Sequence, residues 1–155
     1  MKNNLLDHKS IQWPPMPQRS PSEYGLSKRR DFRHKQMAAL FILSSGYSVA
    51  VEIYTLLGRR FGVNYRSGSF RNAILSLEEN GVLRKDVVEI QGLRVGLSLV
   101  KLTKYGRKLC YEFGWLPYQS EWERMKRLHE KGKSEPAHTC ATLAFAYQAR
   151  LRGCR

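Results

Sequence analysis

Apolar positions recur at helical spacing through the middle of the chain, switch to alternation, and then return to helical spacing. Phe32, Met37, Ala38, Leu40, Phe41 and Leu43 form a first stripe. They predict a helix over 31–46, with Asp31 as its cap and Gly46 at its end. Val49, Ile53, Leu56 and Leu57 predict a second helix over about 49–60. Glu52, Arg59 and Arg60 are expected on its outer side, and Phe61-Gly62 stops it. Gly62 to Gly68 reads as a turn. A third helix starts at about Ser67 or Ser69 and runs to Asn80, with Phe70, Ile74 and Leu77 at i, i+4 and i+7 on one face. Asn80-Gly81 is its stop, because glycine accepts a left-handed backbone.

Extended structure is expected next. The β-branched run from Val82 to Ile90 and the alternating run from Val95 to Leu102 flank Gln91-Gly92-Leu93-Arg94, which predicts a hairpin. Thr103 then caps a helix from Lys104 to about Phe113, with Tyr105, Leu109 and Phe113 on one side and Gly114 as its end. Further on, Ser120-Glu121-Trp122-Glu123 is a capping box opening a helix to about Lys131. A last helix is expected over 137–152. Cys140, Ala144, Tyr147 and Leu151 lie on one of its faces, and Ala141, Phe145 and Gln148 on the adjacent one. Upstream of all this, residues 1–30 read as a flexible basic arm. Four prolines between Pro14 and Pro21 block helix and central strand, and Trp13 and Tyr24 are the anchors it offers. The class is α+β, mainly helical, divided as arm 1–30, domain 31–114 and helical extension 115–155.

Composition sharpens the reading. Hydrophobic residues are 42% of the 155, enough for one packed core. No apolar run is long enough to span a membrane, and the first ten residues lack the apolar region of a secretory signal. Three separated cysteines suit a reducing cytoplasm, the expected location. Charge changes the picture most. The chain holds 27 Lys and Arg against 13 Asp and Glu, a net +14. The excess is +4 over 1–34, +6 over 35–113 and +4 over 114–155, so it belongs to the folded part as well as to the arm. Such a balance favours a polyanionic partner, most simply nucleic acid.

The element order helix, helix, helix, strand, strand, helix is that of a winged helix-turn-helix. Phe70-Arg71-Asn72-Ala73-Ile74-Leu75-Ser76-Leu77-Glu78-Glu79-Asn80-Gly81-Val82-Leu83 resembles that family's recognition helix entering the first wing strand. Leu102-Thr103-Lys104-Tyr105-Gly106-Arg107 resembles the Leu-Thr-x-x-Gly signature that follows the second. The resemblance spans roughly residues 33–113. More faintly, His138 to Phe145 is similar to a helix of replication-relaxation-type plasmid and phage proteins. In longer relatives that helix leads into a nuclease-like domain whose carboxylates are not expected here. This second resemblance implies a mobile-element context and no activity.

The physics of groove reading stands beside the family name. The start of a helix in the major groove reaches base edges, where Arg pairs with guanine and Asn with adenine. Arg66, Ser67, Ser69, Arg71 and Asn72 lie there. Arg84, Lys85 and Lys101 in the strands are expected to line the phosphate backbone, Arg94 at the tip to enter the minor groove or touch phosphate, and Lys28, Arg29 and Arg30 to form a phosphate-contacting arm. The expected function is sequence-specific binding of double-stranded DNA, most simply as a transcriptional regulator. The alternatives are a DNA-positioning subunit of a replication, transposition or phage-defence complex, and a protein-interaction adaptor. Regulators of this kind often pair through terminal helices, so a homodimer or docking to a larger complex is expected. No catalytic motif or cofactor site stands out, and an enzyme is not expected. His129, His138 and Cys140 match no standard zinc spacing. Cys110 reads as core, and Glu78 and Glu79 as solvated.

Overall fold

The computed structural model describes residues 8, 11–14, 26, 29–64, 66–89, 96–130 and 136–152. Among them the fold is α+β and mostly helical. The order is α1 (Arg30–Ser44), α2 (Ala50–Phe61), α3 (Gly68–Glu79), β1 (Leu83–Glu89), β2 (Gly96–Leu102), α4 (Lys104–Glu112), α5 (Glu121–Glu130) and α6 (Pro136–Leu151). None of these helices is long and apolar enough to cross a membrane.

α1 is the central element. Met37 to Leu40, Ile42 and Leu43 are buried, and they join one apolar cluster with Ile53 and Leu57 of α2, Phe70, Ile74 and Leu77 of α3, and Leu109 of α4. Its ends differ from expectation. Asp31 lies inside the first turn, and the cap position is Arg29, which makes no side-chain capping bond. The helix stops two residues early, where Gly46 turns out of the helix with φ +104° and its N–H donates to Leu43 O at 3.1 Å, while the hydroxyls of Ser44 and Ser45 both donate to the Phe41 carbonyl, at 2.7 and 2.9 Å. Trp13 packs on this cluster with its ring 5.6 Å from that of Phe41, while Tyr24 lies outside the described residues.

The turn from α3 into β1 explains both sequence motifs at once. Gly81 has φ +73°, and the N–H of Val82 donates to Leu77 O at 2.9 Å, a glycine-dependent helix ending. Thr103 Oγ1 donates to Gly81 O at 2.6 Å and accepts from the Gly106 N–H at 3.0 Å. No side chain fits at Gly106, where a Cβ would collide with the Val82 carbonyl oxygen. Thr103 and Gly106 therefore seat α4 on the exit of α3.

β1 and β2 pair antiparallel, from Leu83 opposite Leu102 to Glu89 opposite Gly96. β2 is covered on both faces. Val100 and Leu102 enter the main cluster, whereas Leu97 and Leu99 join Val49, Trp122, Leu143 and Tyr147 in a second one. α5 and α6 thus close over the far side of the hairpin. α5 opens on the reciprocal capping box, with Glu123 N–H donating to Ser120 Oγ at 3.1 Å and Ser120 N–H to Glu123 Oε2 at 3.4 Å. Its start is docked by Glu121 N–H to Gly46 O, 2.9 Å, and Trp122 N–H to Ser48 Oγ, 3.1 Å.

Glu52 is not on the outside of α2. Its side chain is fully buried and is the hub of a charged cluster. Arg150 of α6 grips it through two 2.7 Å bonds, from Nε to Oε2 and from Nη2 to Oε1. The same guanidinium reaches both oxygens of Glu121 at 3.1 and 3.0 Å. His8 Nε2 lies 2.7 Å from Glu52 Oε2, and Arg59 Nη1 lies 3.0 Å from His8 Nδ1. Arginine only donates, so Nδ1 accepts and Nε2 carries the proton offered to Glu52. Burial pushes the Glu52 carboxyl up, but the bonds from Arg150 and His8 outweigh it and hold the group below its ordinary value. Burial alone would lower Arg150, and its bonds to the two glutamates raise it instead. One buried carboxylate therefore ties the N-terminal segment, α2, α5 and α6 together.

Candidate nucleic-acid interface

Burial of one side of α3 dictates what the other side presents. Phe70, Ala73, Ile74 and Leu77 face the core. Gly68, Arg71, Asn72, Leu75 and Glu79 are exposed, and their spacing of 3, 4, 7 and 11 from Gly68 makes a single outward stripe. The terminal helices α5 and α6 lie across the hairpin and leave this stripe open. Arg66 is exposed just ahead of it, in a turn closed by its own N–H donating to Asn64 Oδ1 at 2.9 Å.

Ser67 and Ser69 are placed differently from Arg71 and Asn72. Both are half-buried, with hydroxyls 3.2 Å apart. Lys35 of α1 donates to Ser69 Oγ at 2.9 Å, and its ammonium lies 5.7 Å from the centre of the Phe70 ring. These serines thus set the start of α3 against α1 and brace the stripe from behind. Lys35 was not legible as a site residue. On α1 it is one polar position among several, and only the packing of α1 on α3 brings it there.

Tyr54 of α2 is a second residue that periodicity does not single out. Burial pushes its hydroxyl above the ordinary value, Arg71 offsets part of that rise and Glu78 adds to it. The phenol therefore stands, uncharged, within the field of two α3 side chains of opposite sign. Glu78 is not simply solvated. It is half-buried, and its Oε2 accepts the Lys85 N–H at 3.1 Å, which fixes β1 to the end of α3. Glu79 is exposed as expected.

The hairpin divides its basic residues between two faces. Residues opposite one another in the ladder share a face, so Arg84 goes with Lys101, Leu99 and Leu97, on the side covered by α5 and α6. Lys101 is half-buried, with its ammonium 5.4 Å from the Trp122 ring centre. Lys85 lies on the other face with Val87, Val100 and Ser98, the side that packs towards α3. Both Arg84 and Lys85 are exposed, but only Lys85 extends the α3 surface. Arg29 is exposed at the start of α1. Arg94, Lys28 and the side chain of Arg30 lie outside the described residues, as do the side chains of His129, His138 and Cys140.

Chemically, the surface offers hydrogen-bond donors, cationic groups and one apolar side chain. The buried Cys110 thiol is pushed up to about 12 by burial, with Arg107 opposing, and stays protonated near neutrality. Comparison of the chain with protein-family models, with curated proteins and with solved structures gave no match. The functional reading therefore rests on the residues themselves.

Proposed function

We propose that the protein is a winged helix-turn-helix type protein that binds double-stranded DNA sequence-specifically, as a transcriptional regulator. α3 enters the major groove, and the hairpin tracks the adjacent phosphate backbone. The observation that carries this reading is the outward stripe of α3. A helix buried on its Phe70–Ile74–Leu77 side offers Arg71 and Asn72 to solvent in a chain of net charge +14. Arg71 is the guanine reader and Asn72 the adenine reader, while Arg66, Lys85 and Arg29 position the duplex through phosphate.

The test is binding to duplexes selected from a random pool, compared with unrelated duplexes. Arg71→Ala and Asn72→Ala are each expected to lose about 1–3 kcal/mol of discrimination between the two. Their thermal unfolding should match that of the parent, since both side chains are exposed. Equal loss on every duplex would make them phosphate contacts and would contradict the assigned role.

The active form is proposed to be a homodimer paired through α6. Leu143 and Tyr147 turn inward to the hairpin, which leaves Ala141, Phe145 and Gln148 outward, with Phe145 77% exposed. This stripe carries no charge before Arg152, so two strongly basic copies can meet there with little repulsion. Sedimentation should give twice the 18.0 kDa chain mass for the parent and a single chain mass for Phe145→Glu. A monomer at micromolar concentration would contradict pairing.

A further inference from the structure

One residue on the α3 stripe has no role in polar recognition. Leu75 is 46% exposed, between Asn72 and Glu79, on the side of the helix opposite the core. Its side chain has no donor or acceptor, so it can serve neither phosphate nor the polar edges of bases. The floor of the major groove carries a single base-distinguishing apolar group, the C5-methyl of thymine. We infer that Leu75 is a specificity-determining residue that reads a thymine methyl, next to the bases met by Arg71 and Asn72. The inference rests on the DNA-binding reading above and adds to it the base class taken at this position.

Geometry supports the assignment. At a rise of about 1.5 Å per residue, Leu75 lies about 4.5 Å along the axis from Asn72 and about 6 Å from Arg71. Its contact therefore falls within about two base pairs of theirs. Close approach of the helix is possible at the head of the stripe. Gly68 is exposed there, and the space a Cβ would fill is empty, with no atom within 4 Å. Leu75 is also flanked by half-buried Ser76 and buried Ile74, so it is the one large apolar side chain that α3 turns outward. Neither neighbour competes for the methyl.

The experiment uses the full chain and a duplex recovered from a random pool. Each thymine of that duplex is replaced in turn by uracil, which removes the methyl and leaves every hydrogen-bonding atom in place. The parent is expected to lose about fourfold in affinity at one thymine, the worth of one buried methyl. Leu75→Ala should bind the thymine and uracil forms of that duplex equally, with a thermal unfolding midpoint close to the parent's. Parent binding that ignores uracil at every position would overturn the inference while leaving DNA binding intact. So would retention of the fourfold difference by Leu75→Ala. Failure of the parent to enrich any duplex would instead overturn the DNA reading itself, and this inference with it.

Discussion

Replacing Glu52 by alanine is expected to cost about 3–5 kcal/mol of folding stability, read as a fall in the urea unfolding midpoint. Removing the hub leaves the Arg150 guanidinium, 11% exposed, with Glu121 as its one carboxylate partner, and strips the His8 ring of its acceptor. Halving the compensation of a buried guanidinium while opening a cavity at the hub is what makes the loss costly. The double variant Glu52→Leu with Arg150→Met should recover only part of the loss, because it removes both charges of that pair but leaves buried Glu121 without the guanidinium that holds it. The network also predicts a direction with pH. The Glu52 carboxyl is held below its ordinary value when folded. Its contribution is therefore complete above the unfolded value of about 4.3 and is lost as pH falls through the lower folded value. Parent stability should drop across that acid range, and the double variant should lack this part of the drop. A single-variant cost below about 1 kcal/mol would show that the cluster is relaxed in solution.

Phe70→Ala is expected to destabilise the domain by about 3–5 kcal/mol, the usual cost of truncating a buried phenylalanine. Phe70 is fully buried, 6.2 Å from the Phe61 ring, and supports the Lys35 ammonium that holds Ser69. The loss therefore strikes the start of α3, where the outward stripe begins. Urea unfolding with an unchanged m-value would report a pure stability change. A negligible shift of the midpoint would mean that the buried and outward faces of α3 have been exchanged, and the interface with them.

The two faces of α3 illustrate what was legible in the sequence. Phe70, Ile74 and Leu77 are three large apolar residues at helical spacing, and a 12-residue helix has one way to bury them all. The hairpin and the cap of α4 were legible for similar reasons. Alternation, Gly81 and the Thr103 cap are local signals, and the bonds that make the helix ending at Gly81 and the cap of α4 are local, although Thr103 also reaches back across the whole hairpin to Gly81.

What failed was long in range. Glu52 sits beside Ile53 and two residues from Ala50, and polarity alone assigns a lone glutamate on such a helix to solvent. Its partners lie 44 residues before it and 98 after it, so no window of sequence contains them. Lys35 and Tyr54 are similar cases, brought to α3 by packing between helices. Arg84 and Lys85 failed for another reason. Adjacent strand residues point to opposite faces, so a basic pair that looks like one patch in the sequence becomes two.

The central claim is that a cationic surface built on α3 binds duplex DNA. It is tested most directly by fluorescence anisotropy of the full-length parent with a labelled duplex, titrated at salt concentrations from about 50 to 200 mM. Each neutralised phosphate contributes a slope of about −0.9 to the plot of log affinity against log salt. Three phosphate contacts, from Arg29, Arg66 and Lys85, predict a linear plot with a slope of about −3. Absence of binding at the lowest salt, or an affinity indifferent to salt, would contradict the account.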